Sequence, residues 1–106
     1  MIISGGSNIY PREVEEVICR HPGVYEVAVI GVPDPKWGET VKALVVPRPG
    51  TQVTEAEIVE HCRTNLASYE KPQSVELLPA LPKNAYGKIL KRELRERYWA
   101  GRSRQI

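Results

Sequence analysis

Two runs rich in β-branched residues, separated by a segment of turn-forming residues, constrain the fold most strongly. Val24 to Val32 and Thr40 to Val46 each have the length and composition of a β-strand. Gly31 to Gly38, which joins them, contains two prolines and an aspartate, and Pro47-Arg48-Pro49-Gly50 ends the second run. The sequence therefore predicts two neighbouring strands, most simply antiparallel, joined by a short connection.

Three other segments have the apolar spacing or the start signal of an α-helix. Pro11 to Arg20 is predicted to be a helix that Pro22-Gly23 ends. Thr54 begins a Thr-x-x-Glu capping box, and Lys88 to about Arg97 is predicted to be a short basic helix. The apolar residues predicted to face inward are Val14, Val17 and Ile18 on the first helix, Ile58, Val59, Cys62 and Leu66 on the second, and Leu90 and Leu94 on the third.

The order of these elements favours a small α+β fold. Ser74 to Leu78 reads as a third strand, which gives the order helix, two strands, helix, strand, helix. That order predicts a three-stranded sheet with flanking helices, preceded by a short N-terminal hairpin-like segment. Residues 1–98 are expected to form one domain, and residues 99–106 a disordered tail.

Length and composition exclude several classes of protein. At 106 residues and 42% hydrophobic, the chain can build one modest core but no deep active-site cavity. No apolar stretch has the length of a membrane span, so we expect no transmembrane segment and a cytoplasmic location. Cys19 and Cys62 fit no metal spacing, and both are predicted to be reduced and buried. His21 and His61 are predicted to be structural or exposed, and no metal site is predicted.

Charge is distributed unevenly along the chain. Residues 83–104 carry eight Lys or Arg and two Glu, a balance of +6, against −4 for residues 1–82, within a net charge of +2. A basic end can favour ligands that bear phosphate, although it also fits a solvated helix face. Stacking aromatic residues are not interleaved with most of these cations, so nucleic acid is not an expected partner.

The strongest chemical signal lies in the stretch Pro82-Lys83-Asn84-Ala85-Tyr86-Gly87-Lys88. Gly87 can adopt the backbone angles of a tight turn with Lys88 at its edge. Such a turn can hold an ammonium group away from the domain body, as a charge that must reach a phosphate or a developing oxyanion requires. On these residues alone, an ordinary surface lysine after a loop glycine fits equally well.

A second glycine-containing segment lies near the N-terminus. Gly5 and Gly6 lack side chains and allow close approach of the backbone to a ligand or to another strand. A simple hairpin turn also fits these two residues.

Three motifs, in this order, resemble the C-terminal domain of AMP-forming acyl-CoA synthetases, which belong to the adenylate-forming ligase superfamily. The resemblance extends from about Met1 to Tyr98. The motifs are Ser4-Gly5-Gly6-Ser7-Asn8-Ile9-Tyr10-Pro11, Gly31-Val32-Pro33-Asp34-Pro35-Lys36-Trp37-Gly38-Glu39, and Asn84-Ala85-Tyr86-Gly87-Lys88.

The resemblance implies a reaction in two halves and a role for particular residues. An acid and ATP form an acyl-adenylate and pyrophosphate, and the thiol of coenzyme A (CoA) then displaces AMP. Lys88 matches the family's adenylation lysine, and Gly87 forms the supporting turn. The resemblance also implies that Ser4, Gly5 and Gly6 line the path of the pantetheine arm of CoA.

One motif departs from the family pattern. The family often has a basic run of the form Tyr-Lys-x-Pro-Lys, which here reads Tyr69-Glu70-Lys71-Pro72-Gln73. Glu70 and Gln73 stand where lysines are common. Lys71 is therefore the one residue of this run expected to contact CoA.

The resemblance implies that the chain acts together with a larger N-terminal domain of the same ligase. That domain would bind ATP, the carboxylic acid and Mg²⁺, whereas this chain alone would bind no cofactor and would be inactive. Met1 would lie just past the family's hinge, as in an excised domain or a truncated gene. Other possibilities are a luciferase-like member, an adenylation domain of a peptide synthetase, whose entry segment matches poorly, and a non-catalytic module that binds a protein or an acyl carrier.

Overall fold

A long antiparallel hairpin forms the centre of the protein. The structure, a computed structural model, describes residues 2–36, 38–66 and 71–99. The strands are β1 (Ile2–Ser4), β2 (Ser7–Ile9), β3 (Val24–Asp34), β4 (Gly38–Pro47) and β5 (Ser74–Leu77), and the helices are α1 (Pro11–Cys19), α2 (Glu55–Asn65) and α3 (Lys91–Trp99). β3 and β4 pair from Val24 opposite Pro47 to Asp34 opposite Gly38. The predicted α+β class and the antiparallel pairing of the two β-branched runs are confirmed.

The predicted N-terminal hairpin and the predicted three-stranded sheet form one five-stranded sheet. Its order is β2-β1-β4-β3, and β5 also pairs with β4. Because β3 occupies one edge of β4, β1 and β5 share the other edge. β1 joins antiparallel at Gly38, and β5 runs parallel along Lys42–Val45. The start of β4 therefore lies next to the N-terminal hairpin.

Both faces of the β3–β4 hairpin are covered, because its residues are apolar on both sides. Alternate residues face opposite sides of the sheet, so each strand contributes to two hydrophobic clusters. The cluster under α1 and α2 includes Val14, Ile18, Val27, Val29, Val41, Ala43, Val45, Ile58, Cys62 and Val75. The cluster under α3 consists of Ala28, Ile30, Leu44, Val46, Leu81 and Leu94, with Val32, Leu78, Ile89 and Tyr98 packed against it.

Side chains cover the free edge of β3. The Glu15 carboxylate accepts the Val29 N–H at 2.9 Å and forms an ion pair with the Lys91 ammonium at 2.7 Å. Trp99 Nε1 donates to the Gly31 carbonyl at 2.8 Å. These contacts tie α1 and α3 to the sheet and satisfy backbone groups that would otherwise be available to another strand.

The predicted start of α2 is confirmed. Thr54 adopts an extended backbone conformation, and its hydroxyl accepts the Glu57 N–H at 3.2 Å, as a capping box requires. Ile58 and Cys62 are fully buried, but Val59 is 39% exposed, so its predicted inward orientation is wrong. Val59 lies one residue round the helix from Ile58, at the flank of the buried face.

The predicted start of α3 is also wrong. The helix begins at Lys91 and includes Trp99, whereas Lys88 belongs to a loop. The main chain just before the helix closes the loop that carries Lys88: the Leu90 N–H donates to the Pro82 carbonyl at 2.8 Å and is not part of a helical hydrogen bond. Leu94 is fully buried, as predicted, and Leu90 is half-buried. Residues 100–106 of the predicted tail lie outside the described residues.

Gly31 is expected to be intolerant of even a methyl group. A Cβ at this position would lie 2.6 Å from Oε2 of Glu39, whose Oε1 accepts the Ile3 N–H at 2.7 Å and cannot move without losing that bond. We expect Gly31→Ala to lower the free energy of unfolding by about 1–3 kcal/mol, measured by urea denaturation.

The Glu39→Ala background provides the control. With the carboxylate removed, adding the Gly31→Ala change should cost less than about 0.5 kcal/mol, because the clashing partner is gone. Equal costs in the two backgrounds would show that the carboxylate is not the obstacle.

Candidate functional site

The segment that carries Lys88 is a closed loop and not the first turn of a helix. Lys83 and Ile89 form an isolated antiparallel bridge at the base of the loop. Lys83 also forms an ion pair with Glu26, near the start of β3. Ile89 packs against the cluster under α3. The base of the loop is therefore fixed to the sheet on both of its sides.

Asn84 determines the conformation within the loop. Its Oδ1 accepts the N–H groups of Tyr86 and Lys88 at 2.9 and 3.0 Å. Its own N–H donates to the Lys88 carbonyl at 3.0 Å, and its carbonyl accepts the Gly87 N–H at 3.0 Å. One residue thus satisfies backbone groups of three others, as asparagine does in tight turns.

Gly87 provides the backbone geometry that the turn requires. Its φ is +82°, in the left-handed region that other residues rarely adopt. Apart from the two chain neighbours, no atom of the described residues lies within 4 Å of a Cβ at this position, so the backbone angle, and not a lack of space, favours glycine.

The Lys88 side chain is exposed. No other described residue forms a hydrogen bond or ion pair with its ammonium group. Lys83, five residues earlier, instead has its ammonium held by Glu26. The loop thus uses one lysine to anchor its base and leaves the other available to a group outside the chain.

The N-terminal glycines form the turn of the β1–β2 hairpin. Ser4 pairs with Ser7, and Gly5 and Gly6 between them have φ values of +56° and +87°. Positive φ at both central residues is the geometry of a two-residue turn whose twist matches that of the strands. Ser4 is half-buried and also pairs with Gly38 of β4.

Lys71 lies on the same edge of β4 as this hairpin. It is half-buried and stands just before β5, where the Gln73 N–H donates to the Val41 carbonyl at 2.8 Å. Gly38, which pairs with Ser4, is three residues from Val41 along β4, or about 10 Å. Tyr69 and Glu70 of the departing motif lie outside the described residues.

The structure separates the predicted site residues into two groups. The Lys88 loop is anchored at Glu26, whereas the glycine hairpin joins β4 at Gly38, opposite Asp34 at the far end of β3. Glu26 and Asp34 are eight residue steps apart along β3, about 26 Å of strand. We call these the lysine end and the glycine end of the β3–β4 hairpin.

Neither cysteine has the character of a nucleophile. Burial raises the pKa of the Cys62 thiol to about 11. Cys19 is exposed, so its predicted burial is wrong, because α1 buries Val14, Val17 and Ile18 and leaves Cys19 on the other side. The pKa of Cys19 is also raised, first by partial burial and then by the negative charge of Glu15.

The two histidines are structural, as predicted. His61 Nε2 lies 2.7 Å from the Val17 carbonyl, and His21 Nδ1 accepts the Gly23 N–H at 3.0 Å. Their rings meet edge to face at 5.4 Å, and the contact of His61 with Val17 joins α2 to α1. Among the residues described here, no three side chains of metal-ligating type lie close enough to hold an ion.

A groove of about 190 Å³ lies at the free edge of β3. Pro11 of α1 and Lys91 and Arg95 of α3 contribute to its walls. None of the residues predicted to be functional lines this groove. Within the described ranges no helix is both long and apolar enough for a membrane crossing.

Sequence analysis missed two residues that position the site. Asn84 was part of a motif without an assigned role, and the signal that could have identified it is an asparagine beginning a short glycine-containing turn. Glu39 likewise has no role that its motif alone would indicate. A buried carboxylate that accepts a backbone N–H from another strand leaves no local pattern in the sequence.

Replacing Asn84 should loosen the loop without unfolding the domain. In Asn84→Ala the Tyr86 and Lys88 N–H groups lose their acceptor but are exposed to water, so global stability should fall by less than about 1 kcal/mol. Amide hydrogen exchange at both residues should accelerate at least about tenfold by NMR.

Asn84→Asp is the matched control, because it retains the accepting oxygen. It should preserve slow exchange at Tyr86 and Lys88. Unchanged exchange in Asn84→Ala would contradict the role given to this side chain.

Comparison with known proteins identifies the fold and its family. The family described as AMP-binding enzyme C-terminal domain matches residues 13–88. The chain is 56% identical over 100 residues to the long-chain-fatty-acid–CoA ligase FadD13 of Mycobacterium tuberculosis, covering 94% of this chain and 20% of that protein. It is 54% identical over 98 residues to a feruloyl-CoA synthase of an Amycolatopsis species, covering 92% of this chain and 20% of the relative.

A solved structure gives the same result. A Mycobacterium tuberculosis fatty acyl CoA synthetase superimposes with a TM-score of 0.88 and 54% identity, covering 97% of this chain and 20% of that one. The chain thus spans about one fifth of the length of the curated relatives that it matches. With a family match over most of its length and close structural agreement, the chain belongs to the AMP-binding enzyme C-terminal domain family.

Proposed function

We propose that residues 1–98 form the mobile C-terminal domain of an AMP-forming acid–CoA ligase, in which Lys88 promotes formation of the acyl-adenylate. The observation that carries the proposal is the exposed Lys88 side chain, held on a loop closed by Asn84 and not paired with any described residue. The relatives' names, a long-chain-fatty-acid–CoA ligase and a feruloyl-CoA synthase, support an acyl or aryl acid as the substrate.

Lys88 suits the first half of this reaction. A carboxylate oxygen attacks the α-phosphate of ATP, a new P–O bond forms, and the bond to pyrophosphate breaks. Two anions must therefore meet, and the reaction mainly requires positioning and positive charge. An ammonium group that enters from a separate domain can bridge both anions, and its charge acts more strongly once water is excluded.

The glycine end suits the second half. The thiol of CoA loses its proton and its sulfur attacks the carbonyl carbon of the acyl-adenylate; a C–S bond forms, the C–O bond to the phosphate breaks, and AMP leaves. Gly5 and Gly6 present backbone without side chains, so a pantetheine arm can pass close to the turn, with Ser4 and Lys71 along the same edge of β4. The coenzyme would be a substrate held between this domain and the rest of the ligase.

The distance between the two ends supports a domain that moves. The lysine end and the glycine end are separated by about 26 Å of rigid strand. A single reaction centre therefore cannot be adjacent to both in one arrangement. That separation supports reorientation of the whole domain between the two half-reactions.

Lys88→Ala should reduce adenylation by about a hundredfold or more, as removal of other preorganised transition-state donors does. The test protein is a chimera in which this chain replaces the matching fifth of FadD13, called here the chimeric ligase. Adenylation is measured by exchange of pyrophosphate into ATP, and thioester formation by supplying preformed acyl-adenylate and CoA.

Arg92→Ala is the matched control. Arg92 is an exposed cation four residues from Lys88, so its loss changes the local charge by the same amount. We expect normal adenylation in that variant and normal thioester formation in both. Normal pyrophosphate exchange by Lys88→Ala, or no exchange by the unmutated chimeric ligase while FadD13 itself is active, would contradict the proposed function.

A bulky side chain at Gly6 should harm the thioester step selectively. Apart from its two chain neighbours, no described residue lies within 4 Å of a Cβ at Gly6, so Gly6→Leu should meet an obstacle where CoA or the other domain approaches. We expect thioester formation by the chimeric ligase to fall at least about tenfold while pyrophosphate exchange stays within about twofold.

Gly50→Leu controls for backbone strain. Gly50 also has a positive φ, +81°, and no described atom within 4 Å of its Cβ position apart from its chain neighbours. A leucine at Gly50 should therefore lower the stability of the domain about as much as a leucine at Gly6. Loss of both half-reactions in Gly6→Leu, or the same loss in Gly50→Leu, would indicate misfolding and not a CoA path.

A further inference from the structure

Tyr86, in the Lys88 loop, is exposed to an unusual degree. It is 96% exposed, whereas the other large hydrophobic residues at the described surface, Ile3, Tyr10, Tyr25 and Val59, range from 39% to 56%. Those four residues are at least partly covered by the chain. The ring of Tyr86 is therefore almost wholly unsupported by its own domain, which is uncommon for a large aromatic group.

The loop holds Tyr86 in this position. The Tyr86 N–H is bound by Asn84 Oδ1, and the following residue is fixed by the positive φ of Gly87 and its bond to the Asn84 carbonyl. The bridge between Lys83 and Ile89 closes the loop below. The exposure of the ring thus follows from the same bonds that present Lys88.

Tyr86 must move with Lys88. Two residues of chain span at most about 7 Å, so Tyr86 and Lys88 enter any neighbouring site together. When the Lys88 ammonium reaches a phosphate in another domain, the ring of Tyr86 is carried to the protein surface that surrounds that phosphate. In an arrangement that presents the glycine end instead, the ring returns to water.

We propose that Tyr86 is a docking residue for adenylation, packing its ring against an apolar patch on the ATP-binding domain of the same ligase, beside the opening that Lys88 enters. The proposal rests on the function proposed above and adds a specific contact to it. Tyrosine suits this position, because its ring provides a large contact area with few rotatable bonds and its hydroxyl can remain at the wet rim.

If the Tyr86 ring is buried only in the adenylation arrangement of the domain, it favours that arrangement over the other. A contact made solely during adenylation shifts the domain equilibrium towards that arrangement, by as much as the contact differs between the two. Its loss should therefore weaken adenylation and leave thioester formation intact. Tyr86 positions Lys88 and is not itself required to touch the reacting atoms.

The test compares Tyr86→Ser and Tyr86→Phe in the chimeric ligase. We expect Tyr86→Ser to lower kcat/KM for adenylation about tenfold, as loss of a central aromatic contact does at other interfaces. Tyr86→Phe keeps the ring and should stay within about threefold of the unmutated protein. Thioester formation from preformed acyl-adenylate should be unchanged in both variants.

Two controls separate docking from folding. The thermal midpoint of Tyr86→Ser should match that of the unmutated protein, because the ring is 96% exposed within its own domain. Val59→Ser removes an exposed apolar side chain from α2, on the other face of the sheet, and should leave adenylation unchanged.

Protection of the ring provides an independent measurement. Nitration of Tyr86 by tetranitromethane, followed by peptide mass, should be rapid without ligand. It should slow at least about fivefold when the carboxylic acid and α,β-methylene-ATP, whose α–β bond cannot be cleaved, are present without CoA, because this pair holds the ligase before adenylation and the docked ring is covered. Equal nitration in both conditions would overturn the proposal.

The kinetic outcomes also distinguish the two proposals. If Lys88→Ala abolishes adenylation while Tyr86→Ser adenylates normally, only the docking role is overturned. It is also overturned if Tyr86→Ser impairs both half-reactions equally, or if Tyr86→Phe is as impaired as Tyr86→Ser. If Lys88→Ala adenylates normally, the proposed function fails.

Discussion

The pairing of β3 with β4 is the constraint on which the rest of the structure depends. The two strands stay in register from Glu26 opposite Val46 to Asp34 opposite Gly38, and their apolar residues are buried on both faces. A hairpin packed in this way cannot bend or slide by one residue without moving its buried side chains to the wrong face. It therefore acts as a rigid spacer between the lysine end and the glycine end.

Charged side chains hold the functional segments onto this spacer. Glu39 binds the Ile3 N–H and helps to fix the N-terminal hairpin, whose strand pairing with β4 is Ser4 opposite Gly38 and whose Ile2 packs in the core beside β4. Glu26 holds Lys83 at the base of the loop, and Glu15 holds both the Val29 N–H and Lys91. Each of these carboxylates accepts a hydrogen bond or forms an ion pair with a donor on another element. These long-range contacts are partly shielded from water, which strengthens them.

The elements that could be predicted from the sequence are those with local causes. The cap at Thr54 and the buried face of α1 follow from side chains within one or two turns of the helix. The start of α3 was missed because a bridge from Lys83 to Ile89 competes with the helix for the same backbone. The joining of both predicted sheet pieces depends on Ser4 meeting Gly38, and no pattern within either segment specifies that pair.

For the candidate site, the sequence suggested which groups could be functional but not how they are held. Gly87 and Lys88 were identified by residue type and by resemblance, and the positive φ of Gly87 agrees with that interpretation. Only the strand register shows that the predicted CoA-contacting residues lie at one end of β4 and the Lys88 loop at the other. The burial of Glu39 likewise becomes visible only once β1 and β4 are adjacent.

The closed loop has an energetic consequence if the domain docks repeatedly, as proposed above. Fixing a flexible residue costs about 1–2 kcal/mol of backbone entropy, and a disordered loop would meet that cost each time it entered the neighbouring domain. The bonds from Asn84 and the bridge below it fix residues 84–88 during folding instead. In the proposed docking, little more than the Lys88 and Tyr86 side chains would then have to be ordered, so that weak contacts would be enough to shift the domain between the two proposed arrangements.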